Sequence, residues 1–190
     1  MTSQVEICNL ALAKLGHMQF ITSMGEASKA ANLLNIFYNP GRDSLIREFL
    51  WKFARKRVQL APLSASPLFD GGSYFQIPTD CLRVVSPGDT YRQQYGRWFV
   101  EGDKIVADTS SLNLVYLQRI EDPNLFDPVF VQAFAAKLAY ELAMPLAQSQ
   151  SLKDQMNNEY KSMIVKAAFV GATEQDSDVF LAETFLQAHS

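Results

Sequence analysis

Cysteine and histidine are scarce, two of each in 190 residues. Cys8 and Cys81 lie far apart, and each stands beside an apolar residue, Ile7 and Leu82. They read as small buried hydrophobes, and nothing around them suggests an oxidised compartment, although the sequence alone leaves a bond between them open. His17 falls in a turn and His189 is next to last, neither beside a nucleophile or a carboxylate cluster. Nucleophilic catalysis needs an oriented base and a metal site needs several ligands. Glu121-Asp122 is an acidic pair, but Pro123 follows it and marks a solvated turn. No glycine loop of the phosphate-cradling kind is present. The expectation is a protein with no catalytic residues, no cofactor and no metal. An enzyme would need carboxylates brought together by the fold.

Charge is also sparse, at 19% of residues, against about 25% in an average chain. That leaves surface that is neither core nor strongly solvated, as in subunits that bury area against neighbours. The net charge of −3 and pI of 5.4 disfavour tight DNA binding, which relies on Lys and Arg neutralising phosphates. A passage through which DNA slides is compatible with such a balance. No continuous apolar stretch reaches the about 18 residues of a membrane span. Residues 1–15 lack the basic start and apolar run of a secretory leader. The expected location is the cytoplasm or a particle assembled there, with no membrane partner.

What is present is ordered punctuation. Ser3-Gln4-Val5-Glu6 is a capping box, and Cys8, Ala11, Leu12 and Leu15 follow at helical spacing until Gly16, which predicts a helix over 4–15. A second helical pattern starts near Glu26 with Ala27, Ala30, Leu33, Leu34 and Phe37, and resumes with Leu45, Ile46, Phe49 and Leu50. Asn39-Pro40-Gly41 lies between the two parts and predicts a break or kink. From 52 to about 120 the pattern is of about five or six short strands with polar turns, a small antiparallel sheet or sandwich. The candidates are Tyr74–Ile77, Leu82–Val85, Trp98–Glu101, Lys104–Ala107 and Leu112–Ile120, with Gly102-Asp103 as a hairpin turn. Asp127-Pro128 then caps a helix over 129–144 in which only Gln132, Lys137 and Glu141 are polar. A helix apolar on most sides is buried on most sides. Pro145 ends it, and Ser151 to Asp154 opens a fourth helix that stops at Gly171. The expected fold is α+β, mainly α. A bundle of about four helices (1–51 and 121–175) carries a β-rich insertion (52–120) and an extended C-terminal tail (176–190).

The order of these segments resembles a known family. ICNLALAKLG opens the chain and LWKFARKRVQL covers residues 50–60. YFQIPTDCLRVV at 74–85 is the most specific stretch. WFVEGDKIVAD at 98–108 and DPVFVQAFAAKLAYELA at 127–143 follow, and a helix with Tyr160 and Ala167 completes the set. Together, over residues 3–175, they resemble the tail tubular protein A family of podovirus-type phages, the head-to-tail adaptors. Two features depart from that pattern: Pro40-Gly41 falls where the second helix would run on, and the stretch after Asp176 matches nothing in it. The resemblance implies a structural virion protein of the phage neck. It would form a homo-oligomeric ring of about twelve copies between the portal protein and the tail nozzle or tail tube protein, and double-stranded DNA would pass through its channel on genome ejection. A connector or stopper ring of a long-tailed phage and a non-viral helical binding module are the alternatives.

Two candidate contact regions emerge. Lys52, Arg55, Lys56 and Arg57 form a basic patch that could meet an acidic portal surface or DNA; the plainer reading is a solvated edge strand protected by charge. The tail from residue 172 holds Glu174, Asp176, Asp178 and Glu183 and no Lys or Arg, with Phe180, Leu181, Phe185 and Leu186 spaced as docking anchors for the portal or an adjacent subunit. Trp51, Trp98, Tyr74 and Phe75 read as core or interface aromatics, and the 62–73 loop is long enough for a binding role. Deleting residues 176–190 is expected to weaken docking to the ring or portal while leaving the thermal melt unchanged, which a pull-down and a melting curve would check together.

Overall fold

The computed structural model describes residues 2–69, 71–87 and 98–173. The protein is mixed α and β, with four α-helices and two small antiparallel sheets among the described residues. It divides into two compact units, residues 1–45 with 121–190 and residues 46–120.

In the first unit, α1 (Gln4–Lys14) begins on a complete capping box. The Ser3 hydroxyl accepts from the Glu6 amide, and the Glu6 carboxylate accepts from the Ser3 amide. It ends at Gly16, whose φ of +69° is the left-handed conformation that suits glycine at a helix stop. Ile7, Cys8, Ala11 and Leu12 are buried. The segment after α1 is held back on it by Asn9, whose amide side chain donates to the Ile21 carbonyl and accepts from the Ile21 amide, both at 2.9 Å.

Helix α2 (Lys29–Glu48) starts later than its apolar pattern, which begins near Glu26, suggests, because Ser28 caps it, accepting from the Ala31 amide at 3.2 Å. It also runs on through Pro40, so of the break or kink expected at Asn39-Pro40-Gly41 the break does not occur. Proline deprives the Ile36 carbonyl of its helical partner. Both Ile36 and Pro40 are exposed, so water can reach that carbonyl. A Cβ at Gly41 would stand 3.4 Å from a Phe134 ring carbon and 3.7 Å from a Leu138 methyl, ordinary van der Waals contact.

Helix α3 (Pro128–Leu142) is capped by Asp127, which accepts from the Val129 amide at 2.7 Å with Pro128 at the first helical position. It packs against α1 and against α4 (Gln150–Thr173). Phe130, Ala133, Phe134, Ala135, Ala136, Leu138, Ala139 and Leu142 are all buried. Rings of Phe126, Phe130, Phe134 and Tyr38 follow one another at centroid distances of 4.8, 5.7 and 4.9 Å. The 20 residues Pro128–Ala147 are in fact long and apolar enough, by length and composition, to cross a membrane, but half of that stretch is buried inside the protein. Helical pairing of the α type ends at Leu142, and a π turn (Ala143–Ala147) carries the chain through Pro145. Gln148 then takes a left-handed φ of 51°. The cap of α4 is Ser149, accepting from the Leu152 amide at 3.2 Å, not Ser151 as the capping-box pattern suggests. Lys14 pairs with Glu159, linking α1 to α4, and the Lys137 and Lys153 ammonium groups lie over the Tyr160 and Tyr140 rings at 5.0 and 5.3 Å.

The second unit begins in the last turn of α2, at Ile46. Its first sheet has the order β1 (Arg55–Leu60), β6 (Leu112–Gln118), β3 (Cys81–Pro87), and its second has the order β2 (Ser73–Gln76), β5 (Lys104–Ala107), β4 (Trp98–Glu101). All pairings are antiparallel, and Gly102-Asp103 closes the β4–β5 hairpin. Phe75, Ile105 and Ala107 of the second sheet share one buried cluster with Leu112, Leu114 and Tyr116 of the first. Two register shifts in β3 bulge that edge strand. Gly72 is confined to glycine, since its φ is +85° and a Cβ would meet the Ala107 carbonyl oxygen at 3.0 Å. Cys81 is half-buried, less enclosed than its apolar neighbours suggest, and both cysteines are free thiols.

Replacing Phe134 by Ala is expected to cost about 3–5 kcal/mol, from lost transfer energy and an unfilled cavity, in urea unfolding of the full chain. Pro40→Ala is expected to raise the thermal midpoint, the gain being at most about 3 kcal/mol, because it restores the hydrogen bond to Ile36 at an exposed site.

Candidate functional site

The four basic residues do not form one patch. Lys52 lies in the 3-10 turn (Lys52–Ala54) that leads into β1, and the other three alternate along the strand. In β1, Arg55 and Arg57 are registered with Leu117 and Val115, whereas Lys56 is registered with Tyr116 on the opposite face. Strand β1 is an edge of its sheet, which fits the reading of charge as protection of a free edge.

Lys56 is engaged within its own unit. Its ammonium sits 2.9 Å from one Asp80 oxygen, and the Tyr116 hydroxyl donates to the other at 2.9 Å. Asp80 stands in the turn before β3, and its carbonyl accepts from the Arg119 amide at 2.7 Å. One carboxylate thus ties β1, β6 and the start of β3 together. Burial works against ionisation of Asp80, but the hydrogen bonds from Lys56 and Tyr116 outweigh it and hold the carboxyl below its ordinary range. The same contacts act in reverse on the partners. The bonds to Asp80 and then Tyr116 push Lys56 up, and burial followed by the bond to Asp80 pushes Tyr116 up. Sequence reasoning could not see this node, since Asp80 is 24 residues from Lys56 and 36 from Tyr116. Arg47 adds a second tie by donating to the Leu82 carbonyl, while Arg83 donates to the Arg47 carbonyl at 3.2 Å.

Of the four aromatics singled out, Trp51 and Phe75 are core. Tyr74 is half-buried and its hydroxyl donates to Glu101 at 3.2 Å. Trp98 is exposed on β4 together with Val100. In the 62–73 loop, Leu68 and Phe69 are exposed at 96% and 77%, side chains that no described contact covers and that a binding surface would use. On α4, Val165 and Phe169 are 69% and 71% exposed, one helical turn apart. Their i, i+4 spacing was the available signal, masked by the buried Met156, Tyr160 and Ala167 of the same helix. Phe180, Leu181, Phe185 and Leu186 lie outside the described residues.

His17 shares a shallow cleft of the first unit with Glu26, Ser28 and Lys29. Glu26 is already occupied there, accepting from the Thr22 amide at 2.9 Å and the Thr22 hydroxyl at 3.1 Å. Burial pushes the Cys8 thiol up to about 12, and Cys81 is raised by the same cause. Both therefore stay protonated near neutrality, where only a thiolate is a good nucleophile. Among the described residues no group of three or more His, Cys, Asp or Glu could hold a metal ion. No protein-family model and no curated protein matches the sequence.

A group whose carboxyl is lowered in the folded state contributes stability above its unfolded value, and that contribution is lost as pH falls through the folded one. Asp80→Asn is therefore expected to lower stability by about 1 kcal/mol at neutral pH. The gap to the parent protein should close as the pH drops below the ordinary aspartate value of 3.8. Urea titrations over a range of pH would read both effects.

Proposed function

We propose that this chain is a non-catalytic structural protein, a head-to-tail adaptor that forms a ring between the portal and the tail nozzle of a tailed phage. The observation that carries the reading is the ordered series of motifs along residues 3–175, which resembles the tail tubular protein A family throughout rather than at one site. The architecture supports it. The first unit is discontinuous in sequence, with residues 46–120 between its two parts, as in a helical bundle bearing a β-rich insertion.

In an adaptor, function is assembly. Head-to-tail contacts close into a ring when the rotation between subunits closes. Each contact can be weak, because a portal template presents many sites and avidity does the rest. Exposed apolar groups such as Leu68, Phe69, Val165 and Phe169 are the kind of surface that such contacts cover. The acidic balance of the chain suits a channel wall along which DNA passes without adhering. The virion neck, assembled in the bacterial cytoplasm, is the location that follows.

Mass photometry of the purified chain, alone and mixed with its portal, tests the proposal. A discrete high-mass species is expected with the portal. A chain that stays monomeric and ignores the portal would replace this reading with that of a helical binding module.

A further inference from the structure

Helix α4 buries Met156, Tyr160 and Ala167 and leaves Val165 and Phe169 in solvent. Lys161, Val165 and Phe169 stand four residues apart, so they follow one another along a single row of the helix surface. Lys166, three residues before Phe169, borders the same row. Both lysines are exposed. From Lys161 to Thr173 the sequence holds no other charged residue. An apolar pair is thus framed by two cations and no anion of its own helix segment.

Charge separates this pair from the other exposed apolar pairs of the described residues. Leu68 and Phe69 are followed by Asp70, and no Lys or Arg occurs from Val58 to Leu82. Met18 and Phe20 belong to the segment 17–28, whose charged residue is Glu26. Trp98 and Val100 stand between Arg97 and Glu101 in sequence, charges that cancel. Residues 174–190, which lie outside the described residues, have a composition complementary to the α4 row. They hold Glu174, Asp176, Asp178 and Glu183, no Lys or Arg, and the apolar Val179, Phe180, Leu181, Phe185 and Leu186. A segment of 17 residues reaches at most about 60 Å, enough to leave its own helix and meet that of another copy.

We infer that the row Lys161, Val165 and Phe169, with Lys166 beside it, seats the acidic C-terminal segment, residues 174–190, of a second copy. This rests on the ring reading above. Each copy gives one surface and offers a different one, so the contact is head-to-tail and repeats from copy to copy. Burial of the apolar side chains supplies the affinity. The exposed ion pairs each add little, and they select this row over the acidic or neutral ones.

The test mixes equal amounts of unlabelled and heavy-isotope full-length chain, alone and on the portal, and treats them with a carbodiimide, which joins a lysine amine to a carboxylate that it touches. Mass spectrometry is expected to find Lys161 or Lys166 joined to Asp178 or Glu183 in pairs with one peptide of each isotope. Those pairs should be lost in a chain carrying Val165→Ser and Phe169→Ser, a change at two exposed positions that leaves the thermal melt in place. Pairs that persist in that variant would overturn the seat on α4. Pairs of one isotope only would return the segment to its own chain and overturn the assignment to a second copy. No such pair in a chain that still forms a ring on the portal would overturn the inference and leave the ring reading intact. Mixed pairs without a ring would uphold the contact and remove the ring reading.

Discussion

Burial of α3 is the constraint on which the helical unit depends. Its circumference is apolar almost all round, with Gln132, Lys137 and Glu141 as the polar exceptions between 129 and 144. Alone in water such a helix would expose several large side chains, each worth about 1.5–3 kcal/mol when buried. The alanines at 133, 135, 136 and 139 let α1 and α4 approach it closely. Lys137 and Lys153 hold their ammonium groups over the faces of the Tyr160 and Tyr140 rings. The long apolar segment that satisfies the length rule for a membrane span is thus accounted for by packing within the unit.

The β unit solves a different problem. Its two three-stranded sheets share one core, built from Phe75 and Ile105 on one side and Leu112, Leu114 and Tyr116 on the other. Asp80 then locks the strands of the first sheet by pairing with Lys56 and Tyr116 at once. A carboxylate with two partners tolerates partial burial that a single surface pair would not justify. Among the described residues, the unit keeps the open edge of β1 charged, and its exposed apolar side chains lie in the loop before β2 and on β4.

The elements were legible where local chemistry decides them. The capping box at Ser3, the Asp127-Pro128 start of α3 and the Gly102-Asp103 hairpin all follow from hydrogen bonds made within a few residues. At Pro40 the helix does not break, because the carbonyl that loses its partner lies at an exposed site of α2. Ser149 and Ser151 compete for the same cap, and the left-handed Gln148 after the π turn decided between them. The basic run looked like one patch because sequence adjacency hides the alternation of a strand, which sends Lys56 to Asp80 and the two arginines the other way.

Composition, capping and periodicity therefore determined the mixed α and β class of the protein, the four helices and most of the strands of the described residues, since each depends on residues near in sequence. Only the tertiary structure decided that the strands divide into two sheets around one core, that Asp80 joins three of their segments, and which apolar side chains stay exposed. Those outcomes depend on distances between residues dozens of positions apart, and a pattern of period two or 3.6 carries no information about such distances.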